Sequence, residues 1–287
     1  MKRITEIIKA DKPSLSFEVF PPKKWDNYDS VLKNALEIAG LSPSYMSVTY
    51  GAGGGTSDYT ADICSKIQAL GVPSIAHLSC ISSTKARTRE MLERLSSLGI
   101  KNILALRGDI PEGLDLSSLE YGYASELVGE IREFGGFTIG GACYPEGHPE
   151  SASAERDIEA LRIKVEAGCE FLTTQMFFDN DILYNFMYRL LRRGVDVPVV
   201  AGIMPVTDAK QIKRIMSISG GSLPQHFIRL VDRYGDDPRA MMQAGIAFAT
   251  EQIIDLYANG VNAVHVYSMN KPEVARKIKE NLSEIIK

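Results

Sequence analysis

Eight short apolar runs, each rich in strand-forming residues, recur along the 287-residue chain with amphipathic segments between them. The runs read "LSFEVF", "YMSVTY", "SIAHLSC", "NILALRG", "FTIGGACY", "FLTTQMFF", "VPVVAGIM" and "AVHVYS". Helical patterns fill residues 28–39, 57–70, 84–98, 125–134, 154–167, 181–193 and 208–217, and a further helical stretch, 223–259, precedes the last run. Each is long enough to cross over a parallel sheet and return, and many end in "LG", "RRG" or "NG" stop signals. Eight such units without a compositional break or Ser/Pro-rich linker predict one domain over residues 1–287. The fold class is α/β, a single (β/α)8 TIM barrel with an additional helical insertion before the last strand. A doubly wound open sheet is the runner-up, disfavoured because no G-x-G-x-x-G turn follows the first run.

Composition narrows the class. With 45% hydrophobic and 24% charged residues the chain is ordinarily globular, and a formal charge of −4 supplies no basic field for nucleic acid. No apolar run approaches the roughly 20 residues that span a bilayer. The start, "MKRITEIIKADKPS", reads as a short amphipathic helix and not a signal peptide, so no membrane partner and a cytoplasmic location are expected. Cys64, Cys80, Cys143 and Cys169 are scattered without a C-x-x-C pair, which predicts reduced core residues and no metal site. A homo-oligomer is expected.

Barrels of this type place their chemistry at the C-terminal ends of the strands. Polar residues late in the runs are Glu18, then Thr49 and Tyr50 in "VTYGAGGGT", His77, and Arg107-Gly108-Asp109 in "LALRGD". Tyr144 and His148 in "ACYPEGHPES" and Gln175 in "TTQMFFD" follow. Each alone has a bland explanation: a rim carboxylate, a histidine satisfying backbone groups, a permissive glycine turn, an internal ion pair. Gathering Glu, His, Arg, Asp and Gln at one mouth is costly unless a polar ligand or water meets them. Two carboxyl groups, Glu18 and Asp109, can then take separate tasks if their surroundings differ.

"FEVFPPK", "VTYGAGG", "HLSC", "LALRGD", "YPEGHPES", "TQMFFD" and "GIMPV" occur in that order and together resemble the methylenetetrahydrofolate reductase family. The resemblance implies a (β/α)8 barrel holding FAD at its mouth and reducing 5,10-methylenetetrahydrofolate to 5-methyltetrahydrofolate. It implies flavin contacts at Thr49, Tyr50, Ala52, His77, Arg107, Gly108, Asp109, Tyr123, Ala124, Tyr144, His148, Asp157 and Lys164. Substrate contacts are implied at Glu18, Asp109, Gln175, Gln211 and Lys271. Glu18 is implied as the acid that protonates folate N10 to open its five-membered ring, with Phe17, Val19 and Phe20 expected to keep it protonated. Asp109 is implied to stabilise the resulting iminium cation and to adjust the flavin potential.

Three positions depart from the family pattern. Ala160 and Ile163 stand where polar flavin contacts are expected, and Lys271 replaces an arginine at the folate tail, losing its planar fork. The electron donor is open between NADH, the default, NADPH and an accessory protein delivering electrons. Control by S-adenosylmethionine through a regulatory domain is not expected. A folate-binding barrel without redox chemistry, such as a methyl-transfer component, is the competing function.

Overall fold

A computed structural model of the chain describes residues 2–22, 25–50, 57–81, 83–110, 119–212, 215 and 223–287. Each of the eight apolar runs contains a strand: β1 Ser14–Val19, β2 Met46–Val48, β3 Ser74–Ser79, β4 Asn102–Leu106, β5 Thr138–Cys143, β6 Phe171–Thr174, β7 Val199–Ile203 and β8 Ala263–Tyr267. All pair in parallel and in chain order, and β1 closes on β8 with Ser16 opposite His265 and Glu18 opposite Tyr267. The sheet is a closed (β/α)8 barrel, as the alternation predicts.

Strand periodicity divides β1 between two environments. Phe17 and Val19 join the apolar layer between barrel and helices, with Ala35 and Ile38 of the first crossover helix. Ser16 and Glu18, offset by one, turn to the other face and meet polar partners inside the barrel.

Among the described residues the helices with defined bounds are α1 Ile4–Ile8, α2 Tyr28–Ala39, α3 Ser57–Ala69, α4 Lys85–Ser97, α5 Ala124–Phe134, α6 Ala154–Ala167, α7 Asn180–Arg192, α8 Gln225–Tyr234, α9 Pro238–Ala258 and α10 Pro272–Asn281. The predicted helical stretch 223–259 is built of two helices, α8 and α9. Gly235 closes α8, and Asp237 caps α9 by accepting from the Arg239 and Ala240 amides, with Pro238 at the first turn where its missing N–H costs nothing. Of the predicted helix 208–217, the described part contains the 3-10 turn Ala209–Gln211 and helical Ile212 and Ile215, and residues 213, 214, 216 and 217 lie outside the described residues. No helix among the described residues is long and apolar enough to cross a membrane.

The N-terminal segment contributes five helical residues, and they close the barrel floor. Ile4 and Ile8 cluster with Tyr45, Ile75, Leu104, Phe171, Val200 and Ala263, which lie just before their strands or within the first three strand positions. The Ile4 amide donates to Asn102 Oδ1 at 3.0 Å, and Asn102 Nδ2 donates to the Ser74 carbonyl. With the floor filled, the opposite end is the free mouth.

Candidate active site

At the β1, β2, β3 and β8 side of the mouth, Glu18 is 6% exposed. Its Oε2 lies 3.4 Å from Ser47 Oγ, 3.5 Å from His77 Nε2 and 3.7 Å from His265 Nε2. The expected apolar setting of Glu18 is therefore corrected: alternation along β1 sends Phe17 and Val19 to the outer face, and the carboxyl meets hydroxyl and imidazole groups instead. Its backbone is clasped by the segment after β8. Ser268 Oγ donates to the Glu18 carbonyl at 2.6 Å, while the Asn270 side chain exchanges two hydrogen bonds with Phe20, accepting from its amide and donating to its carbonyl.

His77 is buried, and burial pushes its pKa down to about 4, against the opposing pull of Glu18. Its Nε2 has no hydrogen-bond partner among the described residues. Thr49 extends β2 by donating its amide to the Val19 carbonyl, its own carbonyl accepts from Thr60, and Tyr50 packs half-buried against the core. Ala52 lies outside the described residues.

The β4, β5 and β6 side gathers the second group. The Tyr144 hydroxyl lies beside the Gln175 side chain, and burial followed by the charge of exposed Asp109 raises its pKa. The Tyr144 and His148 rings meet edge to face at 4.6 Å. The His148 amide donates to Asp157, whose carboxyl is pushed up by burial. Arg107 makes a two-pronged pair with Glu150 at 2.7 and 2.6 Å, so its guanidinium is engaged by a carboxylate of the same chain. Gly108 adopts φ +91, and a Cβ there would lie 2.2 Å from Ser79 Oγ, so the backbone at this turn tolerates no side chain.

Three implied cofactor residues sit differently. The Lys164 ammonium turns back to the Ala142 carbonyl at 2.7 Å, and burial lowers its pKa. Tyr123 is 68% exposed at the start of α5, where Glu126 accepts from its amide, and Ala124 beside it is buried. Ala160 and Ile163 face outward from α6. On the third side of the mouth, Lys271 Nζ donates to Thr207 Oγ1 at 2.8 Å, and Gln211 carries a buried amide oxygen without a partner among the described residues.

His265, Ser16, Ser47 and Tyr267 join this site without having been anticipated. Tyr267 donates to the Thr174 carbonyl at 2.5 Å, and burial raises its pKa well above the usual value. His265 and Tyr267 occupy alternate positions of "AVHVYS", and that spacing within the last strand is the signal that marks one inward face.

The sequence profile described as methylenetetrahydrofolate reductase matches residues 3–283. A protein of Pectobacterium carotovorum named 5,10-methylenetetrahydrofolate reductase is 34% identical over 92% of this chain and 88% of its own length. The Escherichia coli protein of the same name is 34% identical over 92% of this chain and 89% of its own. An Arabidopsis thaliana protein named methylenetetrahydrofolate reductase (NADH) 1 is 32% identical over 99% of this chain, which spans 50% of the plant protein. Among solved structures, a Clostridium thermocellum protein described as binding two copies of 5-methyl-5,6,7,8-tetrahydrofolic acid aligns with TM-score 0.65 over 99% of both chains. At 17% identity that likeness concerns the fold alone.

Proposed function

The chain belongs to the methylenetetrahydrofolate reductase family, an oxidoreductase family acting on 5,10-methylenetetrahydrofolate, and from that premise we propose that its mouth holds FAD and works in two alternating half-reactions. NADH or NADPH reduces the enzyme in the first, and the folate is reduced in the second. Both substrates use the same space in turn. FAD, when bound, supplies the two-electron carrier between nicotinamide and folate.

The chain's own residues fit such a group. The Tyr144 and His148 rings offer flat apolar surface, and the unpartnered His77 Nε2 is a buried polar atom with bonding capacity left over. Arg107 is poised for a two-oxygen anion, since Glu150 already engages it in that geometry; a pyrophosphate would take the place of that carboxylate. Gln175 and Gln211 offer amides that both donate and accept, as a pterin edge requires, and Lys271 offers a cation for an acidic folate tail.

Glu18 is the acid in this reading. Reduction at the folate's one-carbon unit requires the five-membered ring to open, and opening requires a proton on N10. Glu18 delivers it, while Asp109 places a negative charge near the cation that forms. The observation that carries the reading is the burial of the Glu18 carboxyl at the C-terminal end of β1 among two imidazoles and a hydroxyl, with no lysine or arginine within salt-bridge distance among the described residues.

The test is spectroscopic. Purified protein is expected to be yellow, to bleach with dithionite, and to regain its flavin absorbance on adding methylenetetrahydrofolate. Glu18→Gln is expected to keep the flavin bound and reducible by the donor while slowing folate reduction by at least about a hundredfold. Folate turnover near the wild-type rate in that variant removes Glu18 from the role. A colourless chain that also fails to take up FAD favours the folate-binding barrel without redox chemistry.

A further inference from the structure

We propose that Asn270, assisted by Ser268, is a positioning residue for Glu18: the turn after β8 holds the end of β1 so that the acid stands at a fixed place in the mouth. The inference rests on the reading of Glu18 as the acid. The paired register of β1 and β8 ends at Glu18 and Tyr267. At neighbouring seams backbone amides carry the bonding past the strand ends, from Thr49 to the Val19 carbonyl, from Ile81 to that of Arg107 and from Gln175 to that of Cys143. At the β1–β8 seam side chains take over. Ser268 Oγ donates to the Glu18 carbonyl at 2.6 Å, the Phe20 amide donates to Asn270 Oδ1 at 2.8 Å, and Asn270 Nδ2 donates to the Phe20 carbonyl at 2.9 Å. The backbone partner fixes each direction, since an amide N–H only donates and a carbonyl only accepts.

Phe20 is where such a hold has most effect. Pro21 and Pro22 follow it without an N–H, so the Phe20 amide is the last donor before the chain leaves β1 through two prolines. The carbonyls of Glu18, Val19 and Phe20 are engaged in turn by Ser268, Thr49 and Asn270, which ties the backbone carrying the acid on both flanks.

The turn that supplies these side chains is held against its own preference. Met269 and Asn270 adopt φ of 52° and 56°, left-handed backbone that asparagine tolerates and methionine disfavours. Such a pair persists where its surroundings over-determine it. Here the Asn270 carbonyl accepts from Asn34 Nδ2 of α2 at 3.2 Å, the Lys271 amide closes onto the Ser268 carbonyl at 3.0 Å, and Lys271 Nζ reaches Thr207. Two side chains of this strained turn are spent on the strand that carries the buried carboxyl, and proton delivery is sensitive to misplacement on the order of 1 Å.

Asn270→Gly tests the proposal, because glycine takes the left-handed backbone without cost and only the clasp is lost. Amide exchange at Phe20 in the purified chain is expected to quicken at least about tenfold. In single-turnover stopped flow, the reduced flavin enzyme mixed with saturating methylenetetrahydrofolate should reoxidise at least about tenfold more slowly than wild type. Flavin reduction by the donor should stay within about twofold. In the Glu18→Gln background the same substitution should change the folate rate by less than about twofold, as when one residue acts through the other. Ser268→Ala should slow the folate half-reaction by a smaller factor, and it carries the test if Asn270→Gly does not melt cooperatively. Unchanged exchange at Phe20, a folate rate near wild type, equal losses in both half-reactions or further slowing in the Glu18→Gln background overturns the proposal. So does a loss confined to the folate KM, which would assign the turn to Lys271 and the folate tail instead. If Glu18→Gln itself reduces folate at the wild-type rate, the acid reading falls and the proposal with it; a slow Glu18→Gln beside a fast Asn270→Gly overturns the proposal alone.

Discussion

The two carboxyl groups at the mouth occupy opposite surroundings, Glu18 buried against imidazoles and Asp109 exposed beside Arg107 and Tyr144. If Asp109 lies against the flavin, as the family resemblance implies, its charge disfavours the electron-rich reduced form, and Asp109→Asn should raise the midpoint potential. A rise on the order of 30 mV corresponds to about 1.4 kcal/mol for a two-electron couple. Dye-equilibrated titration measures it, and an unchanged potential would leave Asp109 with a role in orienting substrate only. His77 predicts a pH effect of definite sign. Burial lowers its pKa from 6.5 to about 4, so below pH 6.5 the unfolded chain takes up a proton that the folded chain refuses. The stability tied to His77 is present above that pH and drains away as pH falls toward 4, by about 3 kcal/mol in all. Denaturant melts across this window should show a shallower acid loss in His77→Gln than in wild type. Arg107 and Gln175 were legible because each directly follows its strand, and Glu18 and His77, inside theirs, because they fall in the motifs "FEVFPPK" and "HLSC". Ser47 and His265 were not, since they sit inside their runs and meet only when β8 closes on β1, 218 positions apart in the chain.

Helices and strands were read best where pattern and punctuation agreed, as in α2 and α6, whose ends coincide with the predicted segments. The helical stretch 223–259 is helical as predicted, and within it the Asp-Pro signal at 237–238 marks the start of the second helix. Asp237→Ala should therefore cost about 1 kcal/mol of stability by freeing two amides at the start of α9. A larger effect belongs to the middle of that helix. Gly245 faces the loop after β7 so closely that a Cβ would stand 1.9 Å from the Val206 carbonyl oxygen. Gly245→Ala must push α9 off this loop or move the loop itself, at a cost of about 1–3 kcal/mol. Because that loop continues to Thr207, the partner of Lys271, the same variant should weaken folate binding more than donor binding. Separate KM measurements for the two substrates would show whether it does.

Across the whole molecule, stability and chemistry occupy opposite ends of one barrel. The floor is apolar and sealed by α1, and the mouth carries the polar groups. Periodicity foretold a helix in the first residues but not its use as a plug, because a lone amphipathic helix acquires a partner only after eight strands have closed and left a hole of the right size. This separation predicts that the two ends can be perturbed independently. Ile4 is fully buried, so Ile4→Ala removes its larger apolar group from the layer containing Phe171, Leu104 and Ile75, at a cost of about 2–5 kcal/mol. Within that layer Tyr45 stacks on His265, but the partners of the Glu18 carboxyl, Ser47, His77 and His265, lie farther along their strands than the residues packed on Ile4. The variant should melt several degrees lower while its folate half-reaction at 25 °C, where it is still folded, stays within about twofold of wild type. If the rate instead fell along with the melting temperature, floor and mouth would be one cooperative unit, and strain introduced beneath the barrel would reach the acid through the β1–β8 seam.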